Sequence, residues 1–209
     1  MKAVKEEFYS KKRWQNWLNK VKESKFTLSE PDEKKTGSSG AVFVYIMDDV
    51  VLACLKVIAR CEREVIHREE AVSEIDKIRE IIFEANESLG EDADLMLESL
   101  RTSLAAVFVS CQRYIAGAGD YSKDEPLGNM IKKALEAESQ DKMEEAFDTL
   151  SQIGARVIGG DTLPEASMAD LPYGIVAELL DGIEAISAAM IGDTSYKEDD
   201  GTVDAEEEI

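Results

Sequence analysis

The sequence predicts an all-α protein: a helical bundle of six or seven helices with an N-terminal helical arm and a disordered acidic C-terminal tail. Apolar residues recur every three or four positions through most of the 209-residue chain, and glycines separate these runs. Only the stretch AVFVYIM at 41–47 has the composition of a strand, and no second such stretch could pair with it. The hydrophobic content of 44% is enough for an ordinary core.

The segment 1–28 is predicted to be an amphipathic helical arm, with Ser10 as a suitable N-cap. Residues 1–25 carry eight basic and three acidic side chains, a net charge of +5 in an otherwise acidic protein. The apolar residues of the arm form one stripe at positions i, i+3, i+4 and i+7: Trp14, Trp17, Leu18 and Val21. This stripe either packs on the bundle of the same chain or binds a partner, and it is the candidate partner-binding surface.

The composition divides the rest of the chain into a linker, a bundle and a tail. Residues 29–40 combine Pro, Gly, Ser and mixed charges without apolar periodicity, which is typical of a flexible linker. Residues 41–192 contain the periodic runs and form the predicted bundle. Residues 193–209 carry eight acidic side chains and one lysine, a net charge of -7, and are predicted to be disordered because they have almost nothing to bury.

The stretch 41–67 is the longest nearly apolar tract, and it carries an Asp pair, two cysteines and the only histidine. Its apolar residues keep helical spacing through Cys61, which favours one long helix; a short strand that ends at Asp48 as a helix N-cap is the alternative. The periodicity continues into the next segment without a Gly or Pro. Because a helix from 41 to 88 would far exceed the ordinary length, a turn is predicted near 65–68.

Two further helices are predicted before residue 117. The first has a stripe with alternating spacings of four and three residues: Ala71, Ile75, Ile78, Ile82 and Ala85. Gly90 ends this segment, and the acidic residues directly after it suit the first turn of another helix. The second half of that helix, up to about Ala116, is apolar nearly all round, which indicates the central helix of the bundle.

The last part of the bundle is predicted to hold a helical hairpin, a short turn of helix and a final helix. Capping residues and prolines predict four helix starts: Asp124 as N-cap with Pro126 in the first turn, Asp141 as N-cap, Thr162 with Glu165 as a capping box, and Pro172. Gly159 and Gly160 end the hairpin, and Gly192 ends the final helix.

The charge and the cysteines restrict the partners and the compartment. A formal net charge of -20 disfavours nucleic acid and anionic membranes, because affinity for phosphate comes from Lys and Arg. The partners that remain compatible with this charge are basic proteins, cations and neutral surfaces. The three cysteines, an odd number in apolar surroundings, are typical of reduced thiols in a cytoplasmic protein. No apolar run has the length that a bilayer requires, so a soluble protein is expected.

Few side chains could assemble a metal or cofactor site. A ferritin-like di-iron site needs two Glu-x-x-His units, and the only histidine, His67, forms one with Glu64. Cys54 and Cys61 are seven residues apart, which is not the spacing of structural zinc ligands. The sequence contains no phosphate-binding loop, dinucleotide fingerprint or nucleophile elbow. We therefore expect no metal and no cofactor.

The chain nevertheless has candidate carboxylates in Asp48 and Asp49. Together with Glu74, Glu145 or Asp148, they could form a magnesium site like that of helical nucleotide pyrophosphatases. With 44 acidic residues in the chain, such spacings also arise by chance. A helix N-cap, or a polar edge that faces the linker or a partner, would equally explain the Asp pair.

Six segments of the chain form a recognisable set: FYSKKRWQNWLNKV, MDDVVLACLKVI, EEAVSEIDKIREII, SLRTSLAAVFVSCQRYIAG, IGARVIGGD and PYGIVAELLDGI. In order and spacing they resemble an archaeal family from methanogens and halophiles that is known as a domain of unknown function. The resemblance covers residues 8 to about 190. It implies an archaeal cytoplasmic source, and it implies no particular activity.

The sequence predicts a non-enzymatic protein-interaction or regulatory module, because amphipathic helices outnumber any recognisable site. The partner would be another protein, or a second copy that forms a homodimer through the arm. The alternative is a magnesium-dependent nucleotide hydrolase that uses the carboxylates at Asp48 and Asp49.

Overall fold

The computed structural model of the chain describes residues 7–28, 40–117, 124–169 and 171–192. Within these ranges the chain forms eight α-helices and no strand, which confirms the predicted fold class. The helices are α1 (Lys11–Ser24), α2 (Ala41–Glu62), α3 (Arg68–Phe83), α4 (Glu91–Gly117), α5 (Leu127–Ser139), α6 (Met143–Ile158), α7 (Glu165–Met168) and α8 (Ile175–Ile191). The predicted acidic tail, and the predicted linker except for Gly40, lie outside the described residues.

The helix α4 lies at the centre of the bundle, as its apolar composition predicts. It packs against α2, α3, α6 and α8. Its middle, from Leu104 to Cys111, is buried on almost every side. No residue of this middle stretch is exposed, and Ser110 is the one residue there with a hydroxyl group, as expected for helix surface that packs on all sides.

Two glycines let the neighbouring helices approach α4 closely. A Cβ at Gly182 of α8 would lie 2.8 Å from the carbonyl carbon of Ser103, and closer still to its oxygen. A Cβ at Gly154 of α6 would lie 2.5 Å from the Cβ of Ser110. Real Cβ atoms do not approach other atoms so closely, so a larger residue at either position would push the helices apart.

The start of α4 agrees with its predicted signals. Gly90 has a φ of 117°, a conformation that favours glycine, and α4 begins at the next residue. The Asp94 carboxylate accepts hydrogen bonds from the Ser88 hydroxyl at 2.5 Å and from the Leu89 N–H at 2.9 Å. Both hydrogen bonds lower the pKa of Asp94, and the one from Ser88 has the larger effect.

The helix α1 packs against α2 and α3 as part of the core. The Ser10 side chain accepts a hydrogen bond from the Arg13 N–H, so the predicted N-cap is confirmed. The residues of α1 that are buried in the core are Trp14, Leu18 and Val21. Just beyond α1, Phe26 packs edge-on against Phe43 of α2, with 5.1 Å between the ring centroids.

The stretch 41–67 forms one helix and a turn, as favoured, and the strand alternative is wrong. The helix α2 runs through the Asp pair to Glu62, so Asp48 is not an N-cap. The chain then turns through residues 63–67, where Glu64 has a left-handed φ of 56°, and α3 begins at Arg68. The break that was predicted from helix length is therefore confirmed.

Two predicted starts in the hairpin are wrong by a few residues. The N-cap of α5 is Pro126 rather than Asp124, and its carbonyl oxygen accepts the N–H of Asn129 at 2.9 Å. A proline has no N–H to donate, so it fits just before the first turn as well as inside it. Asp141 has a left-handed φ of 59° and closes α5, because its N–H donates to the Glu138 carbonyl. The helix α6 begins only at Met143.

The starts of α7 and α8 also differ from the predictions. The N-cap of α7 is Pro164, with no side-chain cap, so the predicted capping box is not formed. The helix α8 begins at Ile175 rather than at Pro172. There the N–H of Val176 donates to the Glu138 carboxylate of α5 at 3.2 Å, and a Cβ at Gly174 would lie 2.8 Å from the same carboxylate. A contact between distant segments therefore sets this helix start.

Arg156 connects α6 with the segment before α5. Its side chain is 8% exposed and forms an ion pair with Asp161 at 2.7 Å. One of its Nη atoms also donates to the backbone oxygen of Glu125. Because the guanidinium is buried with these partners, it holds the two ends of the hairpin in place.

Candidate functional site

The adjacent candidates Asp48 and Asp49 face different surroundings on α2. Asp49 hydrogen-bonds side chains of α1, whereas Asp48 lines a groove between α2, α4 and α8. Neighbouring residues of an α-helix point about 100° apart, which places the two carboxylates on separate faces. Asp48 and Asp49 therefore belong to two separate sites.

Asp49 anchors α1 to the bundle. Arg13 donates to both carboxylate oxygens, with Nε 2.9 Å from Oδ2, and the Trp17 indole N–H donates to Oδ2 at 2.7 Å. The Asp49 hydrogen bond raises the pKa of Arg13. The sequence pattern indicates Asp49 and Trp17 but not Arg13, whose only local signal is a basic side chain beside the apolar stripe.

Tyr9 completes this cluster next to α1. Its side chain is buried, and its ring lies 5.1 Å from the Arg13 guanidinium. The pKa of Tyr9 is raised, mainly by burial and next by the negative charge of Asp49. The hydroxyl is therefore protonated at neutral pH, and the cluster holds α1 rather than exposing a reactive group.

The predicted partner-binding stripe faces the bundle of its own chain. Trp14, Leu18 and Val21 are each at most 4% exposed. Trp17 is partly buried, and the Lys20 ammonium lies 4.3 Å from its ring centroid. While α1 is docked, the stripe offers little surface to another molecule. Binding of a partner or a second copy through this stripe stays a prediction.

The carboxylates of the predicted magnesium site are not brought together. Glu74 is buried beside Lys77, with 2.6 Å between the charged atoms. Asp148 pairs with Arg113 at 2.6 Å, and this hydrogen bond lowers the pKa of Asp148. In the described part of the chain, no three His, Cys, Asp or Glu side chains are placed to hold one metal ion. The hydrolase alternative thus has no assembled site there.

The cysteines and the histidine lie in two separate places. The buried thiols of Cys54 on α2 and Cys111 on α4 are in contact, and their hydrogen bond, together with burial, raises the pKa of Cys54. Cys61 and the exposed His67 line an open cavity of about 690 Å³ at the turn before α3. All three cysteines are free thiols. Cys54 therefore does not share a site with Cys61 and His67.

A groove of about 410 Å³ opens between α2, α4 and α8. Its walls are mainly apolar and consist of Phe43, Val44 and Met47 from α2, Met96 and Leu100 from α4, and Ala185 and Ala188 from α8. Val44 is 46% exposed although it is a large aliphatic residue. The groove is large enough to receive several apolar side chains of another molecule.

The rim of this groove is acidic. Asp48, Asp181 and Glu184 line it, and no Lys, Arg or His does so among the residues that the structure describes. Burial, followed by the charges of Glu184 and Glu178, raises the pKa of Asp181. The sequence pattern indicates Asp48 but not Asp181 and Glu184, since nothing distinguishes these two locally from the other acidic residues of the chain.

A second open groove, of about 620 Å³, lies between α3, α4, α6 and α8. It is mainly apolar, with exposed Phe83 and Ile175 on its border. Its charged residues have both signs, since Arg101 lies there beside Glu98 and Glu144. This second groove therefore has no preference for ligands of one charge.

The fold and these surfaces define an all-helical bundle with a docked N-terminal helix and open apolar grooves. The chain belongs to the family described as "Uncharacterized protein conserved in archaea" (DUF2150), which matches residues 7–199. The predicted archaeal family is thus confirmed. Comparisons with curated proteins and with solved structures give no match. No helix within the described ranges is long and apolar enough to cross a membrane.

Proposed function

We propose that this protein is a non-enzymatic interaction module and that the groove between α2, α4 and α8 binds its protein partner. The observation that carries the proposal is the groove itself, whose apolar walls include the exposed Val44. Contiguous exposed apolar surface surrounded by polar residues is typical of protein-binding sites. A cleft between helices is a common receptor for an apolar face of another protein.

The rigid setting of the groove supports this proposal. Its walls belong to helices that pack against one another in the core, and Gly182 holds α8 close to the α4 backbone. Sites on helices are positioned more accurately than sites on loops. The groove therefore has a defined shape before a partner arrives.

The free cysteines support a cytoplasmic location, because thiols persist in a reducing compartment. The net charge of -20 favours a protein partner over nucleic acid or an anionic membrane. A homodimer through the α1 stripe would require α1 to leave its own bundle and dock on a second copy. Light scattering of the full chain measures this directly, and a monomeric mass at micromolar concentrations would rule that homodimer out.

Capture of partners from an archaeal lysate by the full chain tests the proposal. Val44→Asn places a polar amide in the groove, whereas Leu52→Asn makes the same kind of change at a residue of α2 that is 43% exposed and lies outside the groove. We expect a protein that the wild type and the Leu52 variant retain and the Val44 variant loses. Equal capture by all three, or capture by none, would contradict the proposal. Circular dichroism checks that both variants remain folded.

A further inference from the structure

The groove between α2, α4 and α8 has the shape of a receptor for one helix. Its α4 wall consists of positions i, i+3, i+4 and i+7 from Met96 to Ser103, and its α8 wall of the same positions from Asp181 to Ala188. Each wall is therefore a single helical face. Seven residues of helix extend about 10 Å, so the groove matches two turns of a third helix packed between these faces.

The charges around the groove indicate which kind of molecule it binds. Asp48 lies on one side and Asp181 and Glu184 on the other, and neither residue of α8 forms an ion pair in the described part of the structure. The pKa of Asp181 is raised mainly by burial and next by the neighbouring negative charges of Glu184 and Glu178. A bound cation near this rim would therefore be attracted by several carboxylates at once.

Three parts of this chain are poor candidates for the groove. A second copy that placed its own groove against this one would bring two acidic rims together, which is unfavourable. Residues 193–209 have a net charge of -7 and would be repelled by the rim. The basic helix α1 is already docked, with its apolar stripe buried and Arg13 bound to Asp49. Charge complementarity thus favours a different and basic molecule.

We infer that the groove binds the apolar face of a cationic amphipathic helix from another protein, with Lys or Arg side chains of that helix beside Asp181 and Glu184. This inference rests on the proposed function and specifies its partner. The partner helix would carry apolar residues at i, i+3, i+4 and i+7 and basic residues on both flanks of that stripe. The apolar contact provides affinity, and the charges choose between partners.

Three fluorescent peptides of equal length, titrated with the full chain, test the inference by anisotropy. The first has leucine at i, i+3, i+4 and i+7 and lysine on the flanks. The second has glutamate in place of lysine. The third has the composition of the first in an order that gives no apolar face. Only the first is expected to bind measurably, and more weakly as salt is added.

Two pairs of matched variants locate the binding. Asp181→Asn with Glu184→Gln removes two rim charges, and Glu69→Gln with Glu70→Gln removes two charges from exposed positions of α3. We expect the rim variant to bind the first peptide about fivefold more weakly, since two partly exposed charge pairs are lost, and the α3 variant to bind it as the wild type does. Val44→Asn should also weaken binding, while Leu52→Asn should not.

Each contrary result would refute a particular part of the inference or of the proposed function. Equal binding of the lysine and glutamate peptides, with both weakened by Val44→Asn, would refute the cationic partner and leave the proposed function standing. Binding of the scrambled peptide as tight as that of the first, no binding of the first, or equal effects of the Val44 and Leu52 variants would refute the inference. A dimer of the pure chain that Val44→Asn dissociates would identify the occupant as a second copy. The proposed function fails only if lysate capture does not depend on Val44.

Discussion

Replacement of Asp49 by asparagine should loosen α1 from the bundle. In the wild type, the Asp49 carboxylate accepts two hydrogen bonds from Arg13 and one from Trp17. The asparagine has the same shape but no charge, and its NH₂ group would face donors of Arg13 that need an acceptor. The variant therefore removes the anchor without creating a cavity.

The expected loss follows from the exposure of the two partners. A hydrogen bond to a charged group contributes about 1.5–3 kcal/mol when it is buried. The Asp49 side chain is 14% exposed, but that of Arg13 is 43% exposed, so solvent screens part of the attraction. We expect Asp49→Asn to lower the free energy of unfolding by about 2 kcal/mol. For a chain of 209 residues, this lowers Tm by roughly 4–8 °C.

Urea denaturation followed by tryptophan fluorescence is a suitable assay, because both tryptophans of the chain lie in α1. Glu84→Gln is a matched control, since it removes another ion pair between α1 and the bundle. That pair, Lys11 with Glu84 at 2.7 Å, has side chains 70% and 52% exposed. The free energy of unfolding of this control variant should fall by less than about 0.5 kcal/mol. If both variants unfold at the same urea concentration, Asp49 does not anchor α1.

Three further predictions concern the core and pH. Gly182→Ala should destabilise the fold by about 1–3 kcal/mol in thermal melts, because the forced separation of α8 from α4 outweighs a gain in helix propensity of about 1 kcal/mol. Arg156→Met should lower the free energy of unfolding by about 2–4 kcal/mol in urea unfolding, since it removes a buried guanidinium that pairs with the partly buried Asp161 carboxylate. Asp94→Asn should lower the urea midpoint at pH 7. Because the pKa of Asp94 is lowered by folding from 3.8, its stabilisation is present above that pH, and the difference from wild type should vanish as the pH falls through the lowered pKa.

Controls and contrary outcomes accompany these three predictions. At Gly128 an added Cβ would meet the Ser167 hydroxyl at 2.9 Å, and that side chain can rotate away. Gly128→Ala should therefore be nearly neutral, and a wild-type Tm for Gly182→Ala would refute the close crossing. For Arg156→Met, an unchanged midpoint would show that the ion pair contributes nothing. For Asp94→Asn, a difference from wild type that is the same at every pH would exclude ionisation as its source.

Most helix positions could be predicted from the sequence, because apolar spacing is a local property of the chain. The segment that becomes α4 shows this most clearly, since its second half is apolar on nearly every side and therefore packs at the centre of the bundle. The turn before Arg68 was found from helix length alone, although neither a Gly nor a Pro marks it. These features need no knowledge of which helices pack together.

The predicted helix starts are wrong where the residues that determine them are distant in sequence or have more than one structural use. The N–H of Val176 is capped by Glu138, which lies 38 residues earlier and has no local signature. Asp141 is a good N-cap by composition, but the same short polar side chain also tolerates the left-handed conformation that closes α5. Local patterns cannot choose between these uses of one residue type.

The candidate site was predicted only in part for the same reason. Asp48 and Asp49 stand out because they interrupt an apolar run, yet the surroundings of each carboxylate are fixed only when α1 and α8 pack against α2. Asp181 and Glu184 lie among 44 acidic residues, and only the packing of α8 beside α2 brings them to the same groove as Asp48. One side of the groove is therefore predictable from the sequence, and the other side is not.

The contact between Gly182 and Ser103 has a consequence for binding as well as for stability. Ser103 belongs to the α4 wall of the groove, so the distance between the α4 and α8 walls is fixed by backbone contact rather than by side chains that can change rotamer. A ligand would meet a preorganised cleft and lose little of its affinity to reorganisation. A residue larger than glycine at position 182 would widen the cleft and weaken the core together. Ligand specificity and thermal stability are in this way properties of the same helix crossing.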